Sequence, residues 1–408
     1  MAEISHSTLD YKTYTLGSIS HKKGYVCIPA YNEEAPIEIV HSLAKQATNH
    51  ALIIFINASK DAPDSQKLAN VKCYNELKLN LKSLNLNCQI ILNNAIDPKK
   101  AGVGFARKII MDIAAESSSY SPNSWISGLD ADCLIEDNYL DAIDSYFDKN
   151  ELISGASIRF SHRILDETQR TGIKYYESHL RYLKLGLQWS GFPYYYHTVG
   201  SSMVIRSSAY KKVGGMNTKK AGEDFYFLQK AMPFGFGELN ETCVYPEARI
   251  SLRVPFGTGR AMDAMVNKNE FIKPYPFEAF TEIKGVMGYI LDLTQAPIGA
   301  EFIWPEHIGE QTKNYFRSKK LAQSWESIDS NSKTTISRNK KFLSHLAGNL
   351  FILFLNRYRD ANEKPLKLSN EINKLYNALD FAQNGDQLEA LKECEITLQS
   401  KSISFNSK

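Results

Sequence analysis

Trp125-Ile126-Ser127-Gly128-Leu129-Asp130-Ala131-Asp132-Cys133 decides how the chain is read. A short apolar run breaks into a polar one, and two carboxylates stand two residues apart at the break. Side chains of an extended strand alternate between faces, so Asp130 and Asp132 share a side if the strand continues. Paired oxygen ligands at a strand end suit a hard divalent cation, and a cation there neutralises a pyrophosphate. The same residues also suit an aspartate-rich turn, or the N-cap of a helix beginning near Asp137, because Asx side chains bond nearby backbone.

Toward the N-terminus, strand patterns alternate with helical ones. Tyr25-Val26-Cys27-Ile28 is an apolar strand ahead of Pro29, which holds Ile28 extended, and Ala30-Tyr31-Asn32-Glu33-Glu34 turns the chain. A helix is expected over 36–46, with Ile37, Ile39, Val40 and Leu43 as its apolar side. Ala51-Leu52-Ile53-Ile54-Phe55-Ile56 is apolar throughout and ends at Asn57, the pattern of a strand covered on both faces. The loop Ala58-Ser59-Lys60-Asp61, a helix over 65–79 and a strand at Cys88-Gln89-Ile90-Ile91-Leu92 follow. Gly102-Val103-Gly104 then precedes a helix carrying Ala106, Ile109, Ile110 and Ile113. This alternation predicts an α/β fold, a Rossmann-like, open, mostly parallel sheet flanked by helices. Such sheets bind ligands beyond the carboxyl ends of their strands, where Glu33, Asn57 and Asp130 all fall.

Beyond Asp137 a helix is expected over 139–147, an extended segment over 152–160 and a Tyr- and Leu-rich helix over 171–187. Tyr194-Tyr195-Tyr196-His197 leads to Gly200-Ser201-Ser202-Met203-Val204-Ile205, whose second half reads as a buried strand. Ser208 starts a short helix ending at Gly214-Gly215, and Ala221-Gly222-Glu223-Asp224 opens another. Residues 244–254 read as a last strand, before Gly257-Thr258-Gly259-Arg260. From about residue 271, proline-broken loops precede helical patterns over 336–357 and 367–396. The expected division is a loose arm over 1–23, an α/β domain over 24–270 and a mostly helical extension over 271–408.

The bulk composition narrows the class. With 43% hydrophobic residues, 408 residues can hold a large core. The 48 basic and 45 acidic residues leave a net charge of +3, too balanced for a general nucleic-acid binder. Six scattered cysteines without a CxxC pair suit reduced thiols in a cytoplasmic protein. Met1 to Gly24 lacks an apolar signal core, and Leu350-Phe351-Ile352-Leu353-Phe354-Leu355 is too short to span a bilayer. A soluble protein is expected, with peripheral contact at the inner face of the membrane left open.

Over about residues 24–260 the chain resembles the nucleotide-sugar glycosyltransferases of the large family 2, whose α/β fold is called GT-A. Val26-Cys27-Ile28-Pro29-Ala30-Tyr31-Asn32-Glu33-Glu34 is similar to the family's first strand and nucleotide-binding turn. Gly102 through Arg107 resembles its glycine-then-Ala-Arg segment, and Asp130-Ala131-Asp132 its metal-binding DxD. Gly200 through Arg206, with Val213-Gly214-Gly215, resembles the strand and turn near the sugar and acceptor. Glu223-Asp224 resembles the ED pair, whose aspartate is usually the catalytic base. The family's Asp-Asp-Gly-Ser after the second strand is Asn57-Ala58-Ser59-Lys60 here, and no QxxRW occurs, which weighs against a processive polysaccharide synthase.

The resemblance implies metal-dependent transfer of a sugar from a UDP-sugar or GDP-sugar to an acceptor hydroxyl, by inverting single displacement. The acceptor is a saccharide, a lipid-linked saccharide or a small molecule. Asp130 and Asp132 would hold Mg²⁺ or Mn²⁺, Asp224 would be the base, and Glu223 would orient the acceptor or bind a sugar hydroxyl. If Asp224 caps its helix, nearby N–H groups would tend to lower its pKa; equally, Glu223 and Asp224 suit any helix N-terminus. Pro29, Tyr31, Glu33, Asn57, Gly102, Arg107, Asp130 and Arg260 are the nucleotide candidates, with Arg249 and Arg253 behind them. Trp189, His197 and Gly200 are the sugar or acceptor candidates. Blander roles stand beside these: a turn cap for Asn57, a solvated helix face for Arg107, and an ordinary hydrogen-bonded histidine beside aromatics for His197. Two other functions compete. A sugar-phosphate nucleotidyltransferase needs a glycine-rich loop where Pro29-Ala30-Tyr31-Asn32 stands, and a non-catalytic sugar-nucleotide-binding protein would bind without turnover.

Overall fold

The apolar runs before Asp130, and the more polar segment 11–16, form strands, and the stretches between the runs form helices. In chain order these are β1 (Tyr11–Leu16), β2 (Gly24–Ala30), α1 (Ile37–Gln46), β3 (His50–Ser59), α2 (Asp64–Leu81), β4 (Asn87–Ile96), α3 (Val103–Ser117) and β5 (Trp125–Gly128). This computed structural model describes residues 11–46, 49–118, 123–251, 257–362, 364–383 and 385–406, with side chains to residue 399. It divides into two compact units, Met1–Ile173 with Thr198–Lys268, and Lys174–His197 with Asn269–Lys408.

In the first unit β2 pairs in parallel with both β3 and β5, and β3 in parallel with β4. Every residue of β2, and all of β3 but Ser59, is buried. Ile53, Ile54 and Ile56 are fully buried, and each contributes roughly 1.5–3 kcal/mol through burial. β2 continues through Pro29 to Ala30, two residues beyond the expected end at Ile28, because a proline removes only a single ladder donor. Ile39, Val40 and Leu43 of α1, and Ala106, Ile110, Met111 and Ala114 of α3, are the buried helical positions.

The supposed loose arm departs from expectation over its described residues. β1 runs antiparallel to β4, with Tyr11 opposite Asn93 and Leu16 opposite Cys88. Its faces alternate between exposed and half-buried, so hydropathy gave little sign of it, yet it covers the open edge of β4.

The chain goes on through β6 (Leu134–Ile135), α4 (Tyr139–Lys149), β7 (Gly155–Phe160), α5 (Arg170–Trp189), β8 (Met203–Arg206), α6 (Ser207–Lys212), α7 (Glu223–Ala231), β9 (Phe236–Tyr245) and α8 (Thr258–Met262). Among the described residues the sheet has nine strands in the order β1-β4-β3-β2-β5-β8-β7-β9-β6. β7 and β9 are parallel, whereas β5–β8, β7–β8 and β6–β9 are antiparallel. The last strand lies earlier than expected. β9 ends before Pro246, so only Val244 and Tyr245 of the 244–254 segment belong to it, and residues 252–256 lie outside the described residues.

The second unit is helical. It takes α5 from Lys174 onward, then α9 (Phe277–Gln295), α10 (Glu310–Ser318), α11 (Leu321–Ser330), α12 (Thr335–Leu346), α13 (Leu350–Asp360), α14 (Leu368–Leu379) and α15 (Gln387–Asn406). α9 occupies a stretch expected to be proline-broken loop. Pro274 and Pro276 precede it, where a proline costs a helix nothing, and Ala279, Phe280, Ile283, Val286, Met287 and Ile290 form its buried stripe. Arg338 of α12, fully buried, donates to the closing carbonyls of α9, to Thr294 O at 3.1 Å and Ala296 O at 2.8 Å. Asp329 Oδ1 accepts from it at 3.1 Å. Phe351, Phe354 and Leu355 of the late apolar run are buried core. No helix among the described residues is long and apolar enough to cross a membrane.

Candidate functional site

Parallel strands bring their carboxyl ends to one edge of the sheet, and a buried amide network ties those ends together. Asn70 of α2 accepts from Asn32 N at 2.9 Å and donates to Asn57 O at 3.1 Å and to Asn94 Oδ1 at 2.9 Å. Asn57 Nδ2 donates to Ala30 O at 3.0 Å. Asn70 and Asn94 are fully buried and Asn57 nearly so, which makes each amide a firm tie, since an unpaired one costs about 1–3 kcal/mol. Asn57 thus holds the β2 end to the β3 end. Asn70 went unnoticed in the sequence, although it lies on the same helical stripe as Cys73, Tyr74, Leu77 and Leu81. A polar residue on an apolar stripe was the available signal.

Arg107, in the second turn of α3, gathers the next group. Its guanidinium donates to Asp130 Oδ1 and to Glu223 Oε1 while remaining almost completely buried. Glycines make room for it. A Cβ on Gly200 would fall 2.3 Å from Arg107 Nη1, and one on Gly104 would fall 2.2 Å from the Lys219 carbonyl oxygen. Gly104 therefore lets the start of α3 press against the loop leading to Glu223, and a Cβ on Gly102 would meet Lys220 Cα at 3.3 Å. Burial by itself would lower the Arg107 pKa, but Asp130, Glu223 and Asp224 more than reverse this and raise it.

Asp224 stands in the first turn of α7 and is partly exposed. Its Oδ1 accepts from Phe225 N at 2.7 Å and its Oδ2 from Gly200 N at 2.9 Å. The helix cap is Gly222 rather than Asp224; those N–H groups and Arg107 still favour the carboxylate, yet the pKa is raised rather than lowered. Desolvation outweighs them, and Asp130 adds repulsion. Burial also raises the Glu223 carboxyl, against the pull of Arg107 and with a push from Asp224. Three carboxylates share one guanidinium, and of these Glu223 and Asp224 hold protons more tightly than free acids.

Asp132 belongs to a second cluster. Its Oδ2 lies 2.9 Å from an Arg249 Nη2, and Arg249 also forms a two-pronged pair with Glu33, with Nη1 to Oε2 at 2.8 Å. Burial pushes the Asp132 carboxyl up to about 6; Asp130, Glu33 and Glu247 add to this and Arg249 opposes it. Arg163 Nη2 donates to Asp132 O at 2.9 Å. Among the described residues, no three His, Cys, Asp or Glu side chains converge as a ready-made metal cage.

The remaining candidates are scattered. Pro29 is buried within β2, and Tyr31 hydroxyl bonds Gln66 Oε1. Arg260, half exposed, has Nη1 3.9 Å from Asp263 Oδ2. Trp189 and His197 belong to the second unit. There Trp189 Nε1 donates to Ala378 O at 3.1 Å and its ring lies 4.8 Å from that of Phe277. His197 Nε2 is 2.8 Å from Glu395 Oε1, and Glu395 also pairs with buried Arg181. Burial opposes the Glu395 carboxylate, but Arg181 and His197 hold its pKa down at about 2. Arg253 lies outside the described residues.

The architecture is a GT-A-like, Rossmann-like α/β fold, a mixed sheet with a parallel central block flanked by helices, followed by a helical C-terminal extension. No family model matches the chain. No curated protein matches it either. It is similar to solved structures of TarS from S. aureus. One is TarS 1–349 in complex with UDP-GlcNAc, at 14% identity and a TM-score of 0.39, covering 86% of this chain and 92% of that one. A second structure of TarS 1–349 gives 13% and 0.37, over 86% and 91%. Against a longer TarS structure the values are 14% and 0.38, over 89% of this chain and 56% of that one. Likeness at this level assigns no activity.

Proposed function

We propose that the first unit is a glycosyltransferase domain that moves a sugar from a nucleotide-diphosphate donor to an acceptor hydroxyl. The observation that carries this is the Arg107 bridge. It joins Asp130, after β5, to Glu223, beside Asp224, and so gathers residues from three distant parts of the chain at one site. A sugar transfer needs this pairing of a diphosphate-handling group with a base on the acceptor side.

In this reading Asp130 and Asp132 would hold Mg²⁺ or Mn²⁺. The charge balance supports such a fit. Asp132 is crowded by Asp130, Glu33 and Glu247, with Arg249 opposing them, so a bare diphosphate would meet repulsion there. The ion, once bound, offsets the charge that grows on the departing diphosphate. Glu33, Pro29, Tyr31, Asn57, Gly102 and Arg260 are kept as nucleotide-binding candidates. Arg107 acts through its carboxylates, fixing Asp130 and Glu223. Glu223 orients the acceptor, and Asp224 takes its proton. The Gly200 N–H holds one Asp224 oxygen in place. Trp189 and His197 lie in the second unit, bonded to Ala378 and Glu395, and take no part in this reading. Donors are UDP-sugars or GDP-sugars, the reaction is metal-dependent and inverting, and the family reading is family 2.

A panel of UDP- and GDP-sugars with hydroxyl acceptors tests the reading. The expected result is nucleoside diphosphate release that depends on Mn²⁺ or Mg²⁺ and is lost in Asp132→Ala. Pyrophosphate release from a nucleoside triphosphate and a sugar phosphate would instead favour nucleotidyl transfer. Binding without turnover across the whole panel would favour a non-catalytic protein.

A further inference from the structure

The Arg249 cluster carries a consequence for how a donor enters. Arg249 follows β9, Glu33 follows β2 and Asp132 follows β5, so one guanidinium ties three segments of the first unit. Arg249 keeps 29% side-chain exposure, against 5% for Arg107. Arg107 is locked under Gly200, whereas Arg249 is the more open to solvent.

We propose that Arg249 is an internal placeholder for the divalent cation, exchanged onto the donor's diphosphate when metal and nucleotide bind. This rests on the nucleotide-sugar reading above. Before binding, the guanidinium pairs with both Asp132 and Glu33. A divalent ion on Asp132 would stand within a few ångströms of that guanidinium, and like charges so close repel strongly in a partly buried site. A phosphate resolves the conflict. Its oxygens match the planar guanidinium fork as a carboxylate does, so Arg249 leaves Asp132 without losing a charge-assisted bond. Glu33 is the pivot, keeping part of the guanidinium in place while the other edge turns. The ligand class is a metal-bound nucleoside diphosphate, and the exchange makes metal and diphosphate bind together rather than singly.

The test measures Mn²⁺ binding to the whole chain from the EPR signal of the free ion, first alone and then with UDP or GDP. Arg249→Gln is expected to bind Mn²⁺ alone about ten-fold more tightly, because a competing cation is gone, and Mn²⁺–UDP or Mn²⁺–GDP about ten-fold more weakly. These opposite signs separate the exchange from a merely structural loss, which would weaken both. Arg249→Lys keeps the charge, so its affinity for Mn²⁺ alone should stay near wild type, while its diphosphate affinity falls. Asp132→Asn should abolish the gain when combined with Arg249→Gln. Unchanged or weaker Mn²⁺ binding by a folded Arg249→Gln protein overturns the placeholder role, whatever happens with nucleotide. Wild-type protein that binds no nucleoside diphosphate in the presence of Mn²⁺ overturns the functional reading, and the metal-only comparison still decides the placeholder.

Discussion

Asp224→Asn separates the proposed base from the fold around it. Each Asp224 oxygen accepts one backbone N–H, from Phe225 at 2.7 Å and from Gly200 at 2.9 Å. Asparagine keeps one acceptor oxygen and sets an NH₂ group against the other N–H. Losing one charge-assisted bond costs about 1.5–3 kcal/mol. The substitution also removes one of the three carboxylates around Arg107, a charge that burial already disfavours, and this offsets much of the loss. The variant should therefore fold. Its chemical step should slow by roughly 10²–10⁴-fold, the usual worth of general-base assistance, or about 3–5 kcal/mol of barrier. Affinity for the metal–nucleoside diphosphate should change little, because Asp224 faces the acceptor in this mechanism. Single-turnover transfer and nucleotide titration read the two effects separately. A pH profile adds a further check. The raised Asp224 pKa should place the acid limb of the wild-type rate above the ordinary carboxylate range, with activity falling as pH drops through it, and Asp224→Asn should lack that limb. Near-normal single-turnover transfer by the folded variant would refute Asp224 as the base.

Arg107→Met should destabilise the first unit by about 3–5 kcal/mol near pH 8, because it strands buried Glu223 and its neighbours without a counterion. Carboxyls with raised folded-state pKa values bind protons before the unfolded chain does, so the loss should shrink toward pH 5.5; a deficit equal at both pH values in urea unfolding would contradict the shared-guanidinium account. In the second unit His179 is buried beside Tyr275, and burial first, then Arg359, brings its pKa down to about 4. Its stability contribution is complete above pH 6.5 and is lost as pH falls toward 4, worth roughly 3 kcal/mol. His179→Leu should flatten that part of the stability curve, and an unchanged pH slope would exclude the residue as its source. Product stereochemistry is independent of any variant: NMR of the first-formed glycoside should show an inverted anomeric centre, and retention would reject single displacement.

What was legible in the sequence followed from burial. β3 is nearly continuous in apolar residues because helices cover both faces, and such runs announce themselves. β1 was missed for the opposite reason: it lies on an edge, alternates exposed and half-buried residues, and is held by ladder bonds more than by hydrophobicity. β9 was placed too late because Phe236-Gly237-Glu238-Leu239-Asn240-Glu241 is polar and glycine-containing, while the more apolar residues gather near its end. Among the candidate site residues, Asp130 and Asp132 could be named from local pattern, and Glu223 and Asp224 from the family resemblance. Arg107, Arg249 and Glu33 were candidates as well, but their pairing with these residues could not be read. Arg107 reaches Glu223 across 116 positions and Arg249 reaches Glu33 across 216, and no local periodicity encodes such pairs. Gly102-Val103-Gly104 suggested a nucleotide passage, and its second glycine proves to be where α3 meets the loop before Glu223.

The excess of carboxylates over guanidiniums links the two halves of the proposed reaction. A site that handles a diphosphate gains nothing from bare negative charge, so acidic residues there make sense only if a cation travels with the phosphate. Around Asp132 the surplus favours that cation; around Asp224 it raises proton affinity toward what a working base needs. Arg107 stands between them, with one hand on Asp130 and the other on Glu223. Neutralising Asp130 with a bound cation would loosen its hold on Arg107 and leave more of that positive charge to Glu223 and Asp224. Donor binding would then lower the proton affinity of the base just when the acceptor arrives. The acid limb of the rate should accordingly lie at lower pH in the donor-saturated kcat profile than in kcat/KM, which reports the free enzyme; coincident limbs would show that Arg107 transmits no charge between the two ends of the site.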